Sequence, residues 1–176
     1  IPGTLGGAVV MNAGAYGGEM KDVLASVRVM TEEGEIMELP AEELGLGYRT
    51  SIIPEKRYIV LGAVISLTEG KKEEIKAQMD DLRQKRVSKQ PLEYPSAGST
   101  FKRPEGYFAG KLIQDSGLKG FTVGGAQVSE KHSGFVINKG NATAADVMEL
   151  IRQVTAKVKE DTGVTMEPEV KQIGEF

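Results

Sequence analysis

No cysteine occurs among the 176 residues, and there is a single histidine, His132. The first absence removes disulfides, thiolate nucleophiles and cysteine-ligated metals. The second removes any multi-histidine centre, so no metal is expected. Long hydrophobic runs are also missing. The longest uncharged apolar stretch falls far short of the ~20 residues that cross a bilayer as a helix, and no charged-then-apolar leader opens the chain. Nor are there blocks of like charge. With 22 Lys and Arg against 25 Asp and Glu the formal net charge is −3, which gives no electrostatic reason to expect nucleic acid or an anionic membrane surface. Internal repeats and low-complexity tracts are absent too. Cytoplasmic residence is the default expectation.

What is present is an ordinary globular balance, 40% hydrophobic and 27% charged, on a chain long enough for one good core or two small domains. Glycine stands out: 22 residues, about 12% against a usual ~7%. Many cluster, as Gly3, Gly6, Gly7, Gly14, Gly17 and Gly18 do. Clustered glycine means backbone held close to something, or in conformations closed to other residues. The chain opens at Ile1, without methionine and inside this cluster, so its start is expected to be a cut.

Residues 1–18 read as a glycine-rich loop followed by a short apolar stretch, Ala8 to Met11. Val23–Met30 and Glu35–Leu39 read as strands joined by a hairpin turn at Thr31–Gly34. Pro40 and the acidic residues after it suggest one helical turn. Tyr58–Leu67 reads as a buried strand. Gly70–Lys89 places Ile75, Met79, Leu82 and Arg86 at helical spacing, an amphipathic connector on the surface, and the domain boundary falls within 70–93. Beyond it, Phe108–Ser116 reads as a helix closed by Gly117. Phe121–Val128 and Gly134–Asn138 read as strands. The clearest element is a helix over Ala144–Asp161, capped by Thr143 with Asp146 completing a capping box. Its stripe of Val147, Leu150, Ile151, Val154 and Val158 reads as core. Val164–Ile173 reads as a last strand. The fold class is α+β.

Four segments together carry a resemblance. They are Ile1-Pro2-Gly3-Thr4-Leu5-Gly6-Gly7-Ala8 running on to Met11-Asn12-Ala13-Gly14-Ala15-Tyr16-Gly17; Gly47-Tyr48-Arg49-Thr50-Ser51; Pro95-Ser96-Ala97-Gly98-Ser99-Thr100-Phe101-Lys102-Arg103-Pro104; and Glu167-Pro168-Glu169-Val170. In this order and spacing the chain resembles the UDP-N-acetylenolpyruvoylglucosamine reductases, flavoenzymes of bacterial peptidoglycan precursor synthesis. No long aromatic insertion interrupts the second domain, as in the shorter subtype of the family. The resemblance implies a vanillyl-alcohol-oxidase-type FAD-binding domain, of which residues 1–69 would be the C-terminal part. A connecting helix over 70–92, an α+β substrate-binding domain over 93–165 and a C-terminal strand over 166–176 returning to the active site would follow. The family's N-terminal part would be missing.

The implied reaction takes UDP-N-acetylglucosamine enolpyruvate to UDP-N-acetylmuramate, with FAD and NADPH as cofactors and roles in cell wall biogenesis, cell shape and division. Hydride passes from NADPH to flavin and from flavin N5 to C3 of the enolpyruvyl group, and a proton then reaches C2. Ser99 aligns with the family's proton donor; read from the residues alone, it is more readily a turn serine bonding its own backbone. Arg49 aligns with an active-site residue, and a guanidinium can grip a carboxylate with two parallel hydrogen bonds. Glu169 aligns with a third, with Glu167 as its local competitor.

Gly3, Thr4, Gly6, Gly7 and Ala8 are expected to set backbone N–H groups against the flavin, with Asn12, Gly14 and Ala15 continuing that wall. Lys171 stands where the family usually carries a flavin-proximal arginine. Lys89, Lys102 and Arg103 are candidates for the pyrophosphate and Tyr107 for the sugar or uracil, against a competing reading as solvated surface. His132 reads as structural. A monomer is expected. As the chain stands, a rival reading is a nucleotide-sugar-binding fragment without FAD or activity. A different flavin oxidase of the same superfamily is disfavoured, because those commonly tether flavin through His or Cys.

Overall fold

The computed structural model describes residues 3–174; Ile1 and Pro2 of the glycine motif lie outside the described residues. The chain forms two compact units, Ile1–Gln78 and Met79–Phe176.

In the first unit the glycine-rich opening is not a loop. Helix α1, Leu5–Val10, starts there, its N-cap Thr4 accepting the Gly7 N–H at 3.1 Å. Two glycines inside a helix each cost about 1 kcal/mol relative to alanine. Tertiary packing overrides that cost: Val9 is fully buried, and α1 lies so close on the sheet that a Cβ at Gly6 would sit 3.8 Å from the Val60 Cβ. Strands β1 (Gly14–Ala15) and β2 (Gly18–Glu19) form a small hairpin. Its two turn residues, Tyr16 and Gly17, both have positive φ, 55° and 87°, which matches the twist of the strands they join.

Strands β3 (Leu24–Met30), β4 (Ile36–Pro40) and β5 (Ile59–Ile65) make an antiparallel sheet in the order β4-β3-β5. The hairpin turn falls at 31–34 as expected, and the helical turn after Pro40 is a 3-10 turn over Ala41–Leu44. Val27 and Val29 of the central strand join Val9, Leu24, Leu44 and Ile53 in the core. β5 is not the buried strand its composition suggests. It lies at the sheet edge, Val60 and Ala63 pack on the core, and Ile59 and Val64 are each 55% exposed. A run of β-branched residues reports strand propensity, but not how many faces the strand buries.

Helix α2 spans Lys72–Lys89. None of its residues is buried. Of the four at helical spacing, Leu82 and Arg86 are half-buried while Ile75 and Met79 are exposed, so the amphipathic expectation holds only for the second half.

The second unit is a four-stranded antiparallel sheet, β6 (Ser96–Ser99), β7 (Thr122–Val123), β8 (Ala126–Val128) and β9 (Phe135–Asn138), in the order β6-β9-β8-β7. Helices α3 (Ala109–Asp115) and α4 (Ala144–Thr162) complete it. The run expected as one strand over Phe121–Val128 is a hairpin turning at Gly124–Gly125. α4 carries the expected Thr143–Asp146 capping box and ends at Gly163 with φ 74°. Leu150, Ile151, Val154 and Val158 enter a core shared with Phe101, Leu112, Ile113, Ala126, Val128 and Val136. Each fully buried side chain of this kind contributes about 1.5–3 kcal/mol. The strand expected over Val164–Ile173 does not form; it is reduced to a bridge between Phe101 and Pro168.

Candidate functional site

In the first unit the candidate residues gather around α1 and the hairpin after it. Gly3, Thr4 and Gly7 are exposed, and Gly6 and Ala8 half-exposed. The first N–H groups of any helix have no partner within it, and at Gly3 no atom stands within 4 Å of where a Cβ would be. Exposed backbone donors without bulky side chains fit the close approach of a dinucleotide such as FAD. Gly14 and Ala15 lie on β1, Ala15 exposed.

Asn12 differs. It is fully buried and left-handed, with φ 44°. Its Nδ2 donates to Glu19 Oε2 at 2.5 Å and to the Gly47 carbonyl at 3.0 Å, and its Oδ1 accepts the Lys21 N–H at 2.9 Å. Both amide N–H groups are thus committed within the protein.

Arg49 sits on a tight turn. Gly47 and Thr50 pair across it, leaving Tyr48 and Arg49 at the tip. Arg49 has φ 56°, a left-handed conformation uncommon for a long side chain. The half-buried guanidinium donates to the Gly14 carbonyl at 2.9 Å and stands 5.2 Å from the Tyr48 ring centroid.

In the second unit, Ser99 ends β6. One extra residue lies on β6 between the pairs Ser96–Ile137 and Ser99–Phe135. Gly98 occupies that bulge with φ 87°, where glycine is at ease and other residues are strained. The bulge sets Ser99, and not Gly98, opposite Phe135. Ser99 is exposed while the next residue, Thr100, is buried, its Oγ1 accepting the Val136 N–H at 2.9 Å.

Glu169 comes to this place from 70 residues further along the chain. Its N–H donates to the Thr100 carbonyl at 2.8 Å, and the Lys102 N–H donates to the Glu167 carbonyl at 2.9 Å. These bonds flank the Phe101–Pro168 bridge and set half-buried Glu169 opposite Thr100, the residue after Ser99. The competing carboxylate, Glu167, is exposed and forms an ion pair with the Lys102 ammonium.

Of the remaining candidates, Arg103 donates from Nε to the Tyr107 carbonyl at 3.1 Å and lies 3.9 Å from the Phe108 ring centroid. Tyr107, Lys89 and Lys171 are exposed.

Two residues outside the expected site, Gly134 and the histidine expected to be structural, lie near Ser99. A Cβ at Gly134 would lie 3.1 Å from His132 Cε1 and 3.6 Å from Ser99 Oγ, so glycine leaves the room that both side chains use. His132 Nδ1 accepts the Gly134 N–H at 3.1 Å, and its ring meets Phe135 edge-on at 4.9 Å. Burial pushes its pKa below the ordinary value.

Residues 90–173 match the family model for the C-terminal domain of UDP-N-acetylenolpyruvoylglucosamine reductase, and residues 1–40 match an FAD binding domain. The UDP-N-acetylenolpyruvoylglucosamine reductase of Agathobacter rectalis is 66% identical over 176 residues, the whole of this chain and 56% of the relative. That of Lachnoclostridium phytofermentans is 64% identical over 175 residues, 99% of this chain and 56% of the relative. The chain belongs to the UDP-N-acetylenolpyruvoylglucosamine reductase family.

A crystal structure of the Thermus caldophilus reductase superposes with a TM-score of 0.85 at 42% identity, covering 97% of this chain and 60% of that one. The chain thus spans a little over half the length of these reductases. Its fold is the family's: part of an FAD-binding domain of the vanillyl-alcohol-oxidase type, followed by an α+β C-terminal domain.

Proposed function

We propose that this chain supplies the substrate-binding part and a share of the flavin-binding part of a cytoplasmic, monomeric enzyme. That enzyme reduces UDP-N-acetylglucosamine enolpyruvate to UDP-N-acetylmuramate in peptidoglycan precursor synthesis. In this reading residues 1–69 belong to the FAD-binding domain and 70–92 connect. Residues 93–165 bind the UDP-sugar, and 166–176 return to the reacting group. The observation that supports it most is the pairing of 100–102 with 167–169, which brings the Glu169 backbone to Thr100, the residue next to Ser99.

FAD, reduced by NADPH, supplies hydride to C3 of the enolpyruvyl group when bound. Gly3, Thr4, Gly6, Gly7, Ala8, Gly14 and Ala15 border it through backbone, and Lys171 adds a charge nearby. Arg49 holds the substrate carboxylate with its forked guanidinium and favours the enolate as charge develops. Ser99 donates the proton to C2; its hydroxyl is a weak acid, but the carbanion is a strong base, so placement decides. Glu169 orients Ser99 or shares a proton with the enediol. Lys89, Lys102, Arg103 and Tyr107 meet the UDP moiety, Lys102 by exchanging its Glu167 partner for phosphate.

A full-length protein carrying this chain should oxidise NADPH only when the enolpyruvyl sugar or another acceptor is present, without a metal. Complete loss of turnover in EDTA, restored by one divalent ion, would contradict the reading. The second unit has its own core and sheet, which favours nucleotide-sugar binding by the 176 residues expressed by themselves even where FAD is not retained. Flavin absorbance and titration with the enolpyruvyl sugar distinguish the two.

A further inference from the structure

We propose that Asn12, backed by Glu19, is a positioning residue for Arg49, and that this is why an asparagine stands buried behind the glycine motif. The proposal rests on the reading that Arg49 holds the substrate carboxylate. The turn carrying Arg49 is tied to the segment 10–14 at three points. At its entry, the Gly47 carbonyl accepts from Asn12 Nδ2 at 3.0 Å. At its exit, buried Ser51 donates from Oγ to the Val10 carbonyl at 2.6 Å. At its tip, Arg49 itself donates to the Gly14 carbonyl at 2.9 Å.

The first tie comes from a side chain bonded in three directions. Asn12 meets one donor, the Lys21 N–H, and two acceptors, Glu19 and Gly47. That pattern fixes which end of the amide is oxygen, because no other orientation satisfies all three. Glu19 is in turn held, pairing with Lys21 at 2.9 Å and forming a reciprocal capping box with Asp22. The left-handed backbone at Asn12 is one that asparagine tolerates. At Arg49 the same conformation has no such excuse, so neighbours must hold it. A guanidinium that is to meet a carboxylate with both nitrogens needs its stem fixed, since a misplacement of about 1 Å costs ~10²-fold in rate.

The test uses a full-length protein carrying this chain, with Asn12→Gly, which keeps the left-handed backbone accessible while deleting the amide. Reoxidation of reduced flavin by the enolpyruvyl sugar should slow by ~10²-fold, while flavin reduction by NADPH stays unchanged. Amide exchange at Thr50 should accelerate. In an Arg49→Ala background, Asn12→Gly should add no further loss. Glu19→Gln, which keeps an acceptor for Asn12, should retain most activity where Glu19→Ala does not; this pair decides the matter if Asn12→Gly does not fold. Equal slowing of both half-reactions, loss of flavin, or additivity with Arg49→Ala would overturn the proposal. If Arg49→Ala by itself left reoxidation unchanged, the reading of Arg49 would fail, and the proposal with it.

Discussion

Ser99→Ala is the substitution in which chemistry and folding separate most cleanly. Ser99 is exposed at the end of β6, and its backbone pairing with Phe135 does not depend on its hydroxyl. Surface changes of this kind alter stability by less than ~0.5 kcal/mol. Removing a placed proton donor costs far more: general acid catalysis is typically worth ~10²–10⁴-fold, or about 2.8–5.6 kcal/mol at ~1.4 kcal/mol per decade. The loss should therefore appear entirely in kinetics, with the urea midpoint unmoved. It should also appear in only one half-reaction. Rapid mixing of a full-length protein carrying this chain with NADPH should show flavin reduction nearly intact, and mixing the reduced enzyme with the enolpyruvyl sugar should show reoxidation collapsed. Ser99→Cys should recover part of the rate, because a thiol occupies nearly the same position and releases its proton more readily. Slowed flavin reduction with normal reoxidation would refute the assignment and move the proton donor elsewhere.

Two expectations concern the second unit itself. Leu150 is fully buried where α4 meets the sheet, so Leu150→Ala should cost about 2.7–5.0 kcal/mol through lost burial and a residual cavity, read as a fall in the urea midpoint; no measurable fall would mean that α4 is not part of the cooperative core. His132 accepts the Gly134 N–H in its neutral form, and burial holds its pKa below the ordinary 6.5. Its contribution to stability is therefore full above about 6.5, the unfolded value, and is lost as pH falls through the lower folded value. A pH series of urea midpoints should decline more steeply below that point for the native chain than for His132→Gln, and parallel curves would refute the link.

The sequence by itself determined a good deal. The capping box at Thr143 and Asp146, the apolar stripe ending at Val158 and the glycine at position 163 announce α4, because they act through local hydrogen bonds and a fixed helical period. The four ordered motifs announced the family, since each is a short contiguous segment. Tertiary structure decided the rest. Helix α1 forms across two glycines only because Val9 finds a core to enter. β5 turned out half-exposed because position in a sheet is not written in strand propensity. The strand expected after Val164 is reduced to one bridge, yet that bridge brings Glu169 against Thr100, next to Ser99. The bulge at Gly98, the space above Gly134 and the ties from Asn12 and Ser51 to the Arg49 turn all join residues distant in the chain or depend on pairing register. No local pattern encodes such contacts; they exist only once the strands have met.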